Sequence, residues 1–303
     1  MSPFAKSIYH TLAFFDAQDM PLTLMEIKDY LVHNPLNPPY LKGETRALVT
    51  EIELIIDDEL GGMISHDSGF YFLAGRQGLV EIRNQKYRSS LKNFRKIKKY
   101  LHPLRFFPYL RAVAISGSGV LLNSTEDSDI DLFVLTKKNR IWFSRFLVSF
   151  YFQIIGQRRH GNKVKARFCL NHYVCEGLTL EKDRNLYTAV EYASLIPVLG
   201  EAVLKKFWQE NLWIKDYLSF PAWSATSPFF PLPIGRGTKR VRGFTEAIFE
   251  LTGLGHLLNW LAGIYQKKRI KMQEHILVTD QELSFHPGSR GQKVLARFQS
   301  KIS

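Results

Sequence analysis

The chain has 303 residues, of which 45% are hydrophobic and 23% are charged, and its formal net charge is +13. These proportions are ordinary for a soluble globular protein, and the length allows about two or three domains with a buried core. The excess of 41 Lys and Arg over 28 Asp and Glu favours a polyanionic partner: nucleic acid, a nucleotide or an anionic membrane surface. A basic surface that only aids solubility is an equal alternative.

Cysteine usage and hydropathy predict a cytoplasmic protein without a transmembrane segment. Cys169 and Cys175 are too far apart to form a disulfide if both lie on one extended strand. The N-terminus lacks the long apolar core of a signal peptide. The most apolar windows, residues 141–155 and 248–265, are shorter than about 20 residues or carry polar side chains, so we expect buried helices there. Peripheral membrane contact stays open.

Residues 1–88 are predicted to form a small α/β module. Apolar spacing predicts helices at 7–18, 25–32 and 45–60, and Thr23 followed by Glu26 predicts an N-cap on the second helix. A Pro-rich loop at 34–40 and a hairpin at 61–73 complete the module.

This order of three helices and a hairpin resembles a winged helix. In DNA-binding winged helices the third helix enters the major groove and is basic. Here the third helix is rich in Glu and Asp, which favours a packing or partner-binding role over DNA recognition. A basic helix is predicted next, at 84–101. It is either a solvated connecting helix or a surface that contacts a phosphate backbone.

Two apolar strands and a pair of carboxylates come next. Strands are predicted at 112–116 and 129–136, joined by a turn at Gly117 and a short helix at 118–122. Asp129 and Asp131 project to the same face because side chains two residues apart on a strand do so. Two buried carboxylates repel each other, and a bound Mg²⁺ with its preference for oxygen ligands relieves that repulsion.

At these residues the chain resembles the nucleotidyltransferase superfamily typified by DNA polymerase beta. Its signature is a strand that ends in Gly-Ser, followed by Asp-x-Asp on the next strand, which Gly117-Ser118 and Asp129-Ile130-Asp131 match. The resemblance implies an α/β fold with a small mixed sheet and transfer of a nucleoside monophosphate from an NTP to a hydroxyl. It also implies that Asp129 and Asp131 bind Mg²⁺. The residues implied to bind the nucleotide are Gly117, Ser118, Gly119, Ser128 and Asn171.

The third strand, predicted at 165–175, lacks the carboxylate that active members of the superfamily usually carry there. Asn171 occupies the expected position, and Glu176 just beyond the strand is the nearest carboxylate and a candidate catalytic residue. His172 is either a proton acceptor or a hydrogen-bonded core histidine.

The sequence predicts a mostly helical region at 183–303. Helices are expected after Asp183, at 200–218 and at 244–268, with a Pro- and Gly-rich loop at 220–243. A turn-rich loop at 285–291 precedes a short last helix at 293–298. The predicted domains are therefore 1–88, 89–182 and 183–303.

The sequence leaves three hypotheses about function. The first is an Mg²⁺-dependent nucleotidyltransferase that acts on a protein, a small molecule or RNA. The second is a member of the same fold that binds a nucleotide or a partner without turnover, because the third carboxylate is not evident. The third is a winged-helix regulator that binds nucleic acid, suggested by the net charge.

Overall fold

The computed structural model describes residues 1–32, 45–159, 165–219, 239–270, 276–285 and 289–303. Helices and a mixed sheet of six strands, with a helical C-terminal region, confirm the predicted α/β class. The predicted loop at 34–40 lies outside the described residues, as do residues 220–238 of the predicted loop at 220–243. The domain boundaries stay predictions.

The described helices and strands follow in chain order. The helices are α1 (Pro3–Asp16), α2 (Leu24–Asp29), α3 (Thr45–Glu59), α4 (Leu79–Leu101), α5 (Ile141–Ile154), α6 (Leu186–Ala193), α7 (Glu201–Glu210), α8 (Lys239–Leu251), α9 (Leu254–Arg269) and α10 (Ser289–Ile302). The strands are β1 (Ile64–Asp67), β2 (Phe70–Leu73), β3 (Leu110–Ser116), β4 (Ile130–Thr136), β5 (Phe168–Cys175), β6 (Ile196–Leu199), β7 (Leu277–Val278) and β8 (Glu282–Ser284).

The N-terminal elements form in the predicted order of three helices and a hairpin. Thr23 caps α2 as expected: its hydroxyl accepts from the Glu26 amide at 3.3 Å, and the Glu26 carboxylate accepts from the Thr23 amide at 2.9 Å. This reciprocal pair satisfies two amides that the first helical turn leaves without partners. β1 and β2 pair as an antiparallel hairpin.

The large sheet has the order β6-β3-β4-β5-β8-β7. β4 and β5 are parallel, as their connection through α5 requires, and the other neighbouring pairs are antiparallel. Three of its six strands come from beyond residue 183, where the sequence predicts helices. These strands have two to four residues each, too short for a clear periodic pattern.

Alternating side chains of β3 and β4 divide the core into two layers, one on each face of the sheet. Ala114 and Phe133 pack with α1, α6 and α7 on one face. Ile115 and Val134 pack with α4 and α5 on the other. Because period-two alternation buries both faces, β4, which carries Asp131 and directly follows Asp129, lies between two packed layers.

Several predicted boundaries are corrected. The helix expected at 244–268 is two helices, because the chain turns at Gly253 with φ +70. Residues 239–243, expected in a loop, belong to α8. Asn185 rather than Asp183 caps α6. No described helix is long and apolar enough to cross a membrane.

Candidate functional site

The Gly-Ser turn sits directly on the Asp131 carboxylate. Gly117 follows β3 with φ +67, and a Cβ built on it would lie 2.6 Å from Asp131 Oδ2. Any other residue would therefore be strained and would also push the carboxylate away. The turn is a 3₁₀ segment, Gly117–Gly119, and not the short helix predicted at 118–122.

Asp129 and Asp131 form one cluster with a cysteine of the neighbouring strand. β4 begins at Ile130, so Asp129 lies just before it, whereas Asp131 pairs with Ser116 on β3 and with Cys169 on β5. One oxygen of each carboxylate and the Cys169 Sγ all lie within 4.8 Å of one another. The structure thus brings together the two predicted metal ligands.

Arg159 supplies positive charge to this cluster. Its Nη1 donates to Asp129 Oδ2 at 2.5 Å and to Cys169 Sγ at 3.3 Å. The side chains of Arg159 and Asp129 are 41% and 18% exposed, so the ion pair is reachable from solvent. Arg159 therefore presents a solvent-accessible cation beside Asp129.

The environment of Asp131 disfavours its charged form. Burial, followed by the charges of Asp129 and Glu191, raises the pKa of Asp131 from 3.8 to about 7. Burial also raises the pKa of the Cys169 thiol, and the two aspartates add to this effect. Near neutral pH Asp131 is therefore partly protonated and the Cys169 thiol is neutral, unless a cation takes the place of the Asp131 proton.

Two C-terminal helices, α6 and α10, reach this site. α10 begins at Ser289, and a Cβ on Gly291 would lie 2.9 Å from Tyr187 Cδ1, which shows how closely α10 approaches α6. The positive charge of Arg290 acts on both Tyr187 and Asp131. The predicted short helix at 293–298 is thus longer, and its first turn places Arg290 near the carboxylates.

α4 holds the loop that follows the Gly-Ser turn. Arg83 is buried and donates to the Leu121 carbonyl and to Glu26 Oε1, both at 2.6 Å. Ser90 Oγ accepts from the Ser124 amide at 3.3 Å. These contacts connect α2 with the loop between β3 and β4. They show that part of the predicted basic helix is a structural support.

Glu176 lies away from the cluster. Its amide donates to the Thr136 carbonyl at 2.8 Å, and its carboxylate is 3.5 Å from Arg111 Nε. Thr136 and Asp131 are at opposite ends of β4, about 16 Å apart at the rise of an extended strand. Glu176 therefore does not complete the Asp129 and Asp131 pair.

The remaining predicted residues have clear positions. Asn171 is not opposite Asp131, because the β4–β5 register pairs Asp131 with Cys169 and then shifts before Phe133 and His172. Ser128 Oγ accepts from the Thr125 amide at 3.0 Å and shapes the loop before β4. His172 is a hydrogen-bonded core histidine: it is 3% exposed, and its Nε2 lies 3.1 Å from Glu282 Oε1.

The sequence interpretation missed Cys169, Arg159 and Arg290 as members of this site. Nothing local in the sequence distinguishes Arg159 and Arg290 from other exposed cations. Cys169 was on the predicted third strand, but its alignment with Asp131 depends on the strand register.

No family model, no curated protein and no solved structure matches this chain. Its function therefore has to be inferred from the residues of the site and their geometry.

Proposed function

We propose that this protein is a nucleotidyltransferase that depends on a divalent cation and transfers a nucleoside monophosphate from an NTP to an acceptor hydroxyl. The observation that carries the proposal is the close contact of the Gly117-Ser118 turn with Asp131, with Asp129 beside it. This is the combination of turn and carboxylates in which the sequence resembles the superfamily of DNA polymerase beta.

The ligand set fits a divalent cation. Asp129 and Asp131 offer hard oxygen ligands of the kind that Mg²⁺ prefers, and phosphate oxygens would complete its coordination. The Cys169 thiol is a softer ligand, which also makes Mn²⁺ or Zn²⁺ acceptable. A bound cation would neutralise phosphate charge and stabilise the leaving oxygen.

The other residues of the site would position the nucleotide. The Ser118 hydroxyl is half-buried and lies 3.5 Å from Ser124 Oγ, and it would donate to a phosphate oxygen. Arg159 and Arg290 add positive charge to the carboxylates. Catalysis would then rest on charge placement, since phosphoryl transfer asks for little covalent work from the protein.

A second candidate function is cation-dependent nucleotide binding without transfer. The specific observation in its favour is Cys169, which stands opposite Asp131 where a third carboxylate would help to deprotonate the acceptor hydroxyl. A neutral thiol is a poor proton acceptor, so a chain with this residue could hold a nucleotide and leave it intact.

The test is pyrophosphate release from the four NTPs with Mg²⁺ or Mn²⁺, supplied with protein, small-molecule and RNA acceptors. Transfer is expected to disappear in Asp129→Asn and in Asp131→Asn and to persist in the control Glu176→Gln, whose carboxylate lies at the other end of β4. Nucleotide binding without release of pyrophosphate would support the second function. Retention of full activity in both Asp variants would refute the proposed site.

A further inference from the structure

Three helices that contact one another expose an apolar surface. α9 packs against both α5 and α8. Twelve of the twenty large apolar side chains that are exposed in the described part of the chain lie on these helices, and Leu251 reaches 88% exposure. We call this surface the apolar face, and its members are Phe146, Phe150, Ile154, Phe244, Ile248, Leu251, Leu254, Leu257, Trp260, Leu261, Ile264 and Tyr265.

The apolar face is continuous between α5 and α9. On α5, Phe146 stacks on Phe150 with ring centroids 5.9 Å apart. Phe146 also meets Tyr265 of α9 edge to face at 6.4 Å. Along α9, Leu254, Leu257 and Leu261 recur at helical spacing. A continuous apolar surface of this extent marks an interaction site in a folded protein.

The acidic residues of these helices point inward. Glu246 pairs with Arg111 at 2.8 Å, and Glu250 pairs with Arg140 at 2.8 Å. These ion pairs fix α8 on the body of the protein, so its outer side is the apolar one. No exposed residue between 243 and 269 is acidic, and the sequence of α5 contains no Asp or Glu.

Positive charge borders the apolar face. α9 ends in Lys267, Lys268 and Arg269, all exposed, and only Lys267 is paired with a described carboxylate, Asp280 at 3.0 Å. Between residues 243 and 269 these three cations stand against Glu246 and Glu250, which point inward. Trp260, which is 59% exposed, and Tyr265 add the aromatic rings that favour the boundary between water and lipid.

We propose that the apolar face binds peripherally to an anionic lipid surface. The charges decide between this partner and a second copy of the chain. Two copies would bring like charges together at the rim, whereas anionic headgroups attract that rim while the apolar side chains enter the acyl region. The helices would lie on the bilayer, because none that the structure describes could cross it.

The test is co-sedimentation of the full chain with phosphatidylcholine vesicles that contain roughly one third phosphatidylglycerol, against vesicles of phosphatidylcholine alone. Binding is expected only to the anionic vesicles. The double variant Leu257→Ser/Leu261→Ser should lower the partition coefficient by about tenfold or more, because it removes apolar groups that would enter the bilayer. Lys268→Glu/Arg269→Glu should lower the partition coefficient by a similar factor, and added salt should reduce this difference because it screens the charges.

The matched control is Leu54→Ser/Leu212→Ser, which changes two equally exposed leucines, 56% and 54%, away from the apolar face and should leave binding unchanged. The thermal midpoint of each variant shows that it is folded. A blue shift of tryptophan emission on adding anionic vesicles, abolished by Trp260→Phe, gives a second readout. No binding, or equal binding by Leu257→Ser/Leu261→Ser, would overturn the proposal, as would a dimer that dissociates on the same substitutions.

Discussion

Replacing Asp131 with Asn should stabilise the cation-free protein at pH 8. At pH 8 the charged Asp131 carboxylate destabilises the folded protein, because burial and Asp129 raise its pKa from 3.8 to about 7. One pKa unit corresponds to about 1.4 kcal/mol, so the shift corresponds to at most about 4 kcal/mol. Some solvent access and the joint titration with Asp129 reduce this to about 2 kcal/mol. Asn has nearly the same shape and carries no charge.

The sign of the pH dependence follows from proton binding. Because the folded-state pKa is the higher one, the folded protein holds more protons than the unfolded chain between about pH 4 and 7. The contribution of Asp131 to the free energy of unfolding is therefore greatest below the unfolded-state pKa and is lost as the pH rises through about 7. Asp131→Asn removes this loss.

Urea unfolding at pH 5 and pH 8 with EDTA present measures the effect. Wild type should lose stability relative to Asp131→Asn as the pH rises, and the variant should be more stable by about 2 kcal/mol at pH 8. Glu176→Gln, a neutral substitution at the other end of β4, should not show this gain. An Asp131→Asn protein that is no more stable than wild type at pH 8 would refute the electrostatic description of the cluster.

Three further predictions concern the site and its support. The affinity for Mn²⁺ should rise by about tenfold from pH 6 to pH 8 and flatten above pH 8, because the cation displaces the Asp131 proton. Titration calorimetry that finds no pH dependence would contradict this. Gly117→Ala should weaken cation binding and cost about 1–3 kcal/mol of stability, because the φ of Gly117 is +67 and the added Cβ would meet Asp131. Gly62→Ala should keep cation binding, because a Cβ at Gly62 would contact no other atom. Arg83→Met should lower the stability in thermal unfolding by about 3–5 kcal/mol, because it leaves Glu26 without its ion-pair partner. The control Lys92→Met breaks an exposed ion pair and should cost less than about 1 kcal/mol. Equal effects of the two substitutions would contradict the proposed support.

The centre of the molecule was predictable from sequence because its signals are local. Apolar alternation marks β3 and β4, the Thr23 and Glu26 pair marks the start of α2, and a glycine after a strand marks a sharp turn. Each depends on residues that are close in sequence. The fold class and the closeness of Asp129 to Asp131 followed from such signals.

The rest of the site depends on contacts that sequence periodicity does not specify. Cys169 stands opposite Asp131 only because the β4–β5 register shifts between Asp131 and Phe133. Arg290 approaches Asp131 because α10 packs closely on α6 at Gly291, more than 150 residues further along the chain. Glu176 was close in sequence to the third strand but lies at its far end, where Arg111 holds it.

The central claim is that the turn and the two aspartates form one nucleotide site that requires a cation. Titration calorimetry with ATP tests this claim most directly. With Mg²⁺ at pH 8, wild type and Glu176→Gln should bind one ATP per chain. Omission of Mg²⁺, or the double substitution Asp129→Asn/Asp131→Asn, should weaken binding by about a hundredfold or more. Equal binding with and without Mg²⁺, unaffected by the double substitution, would contradict the claim.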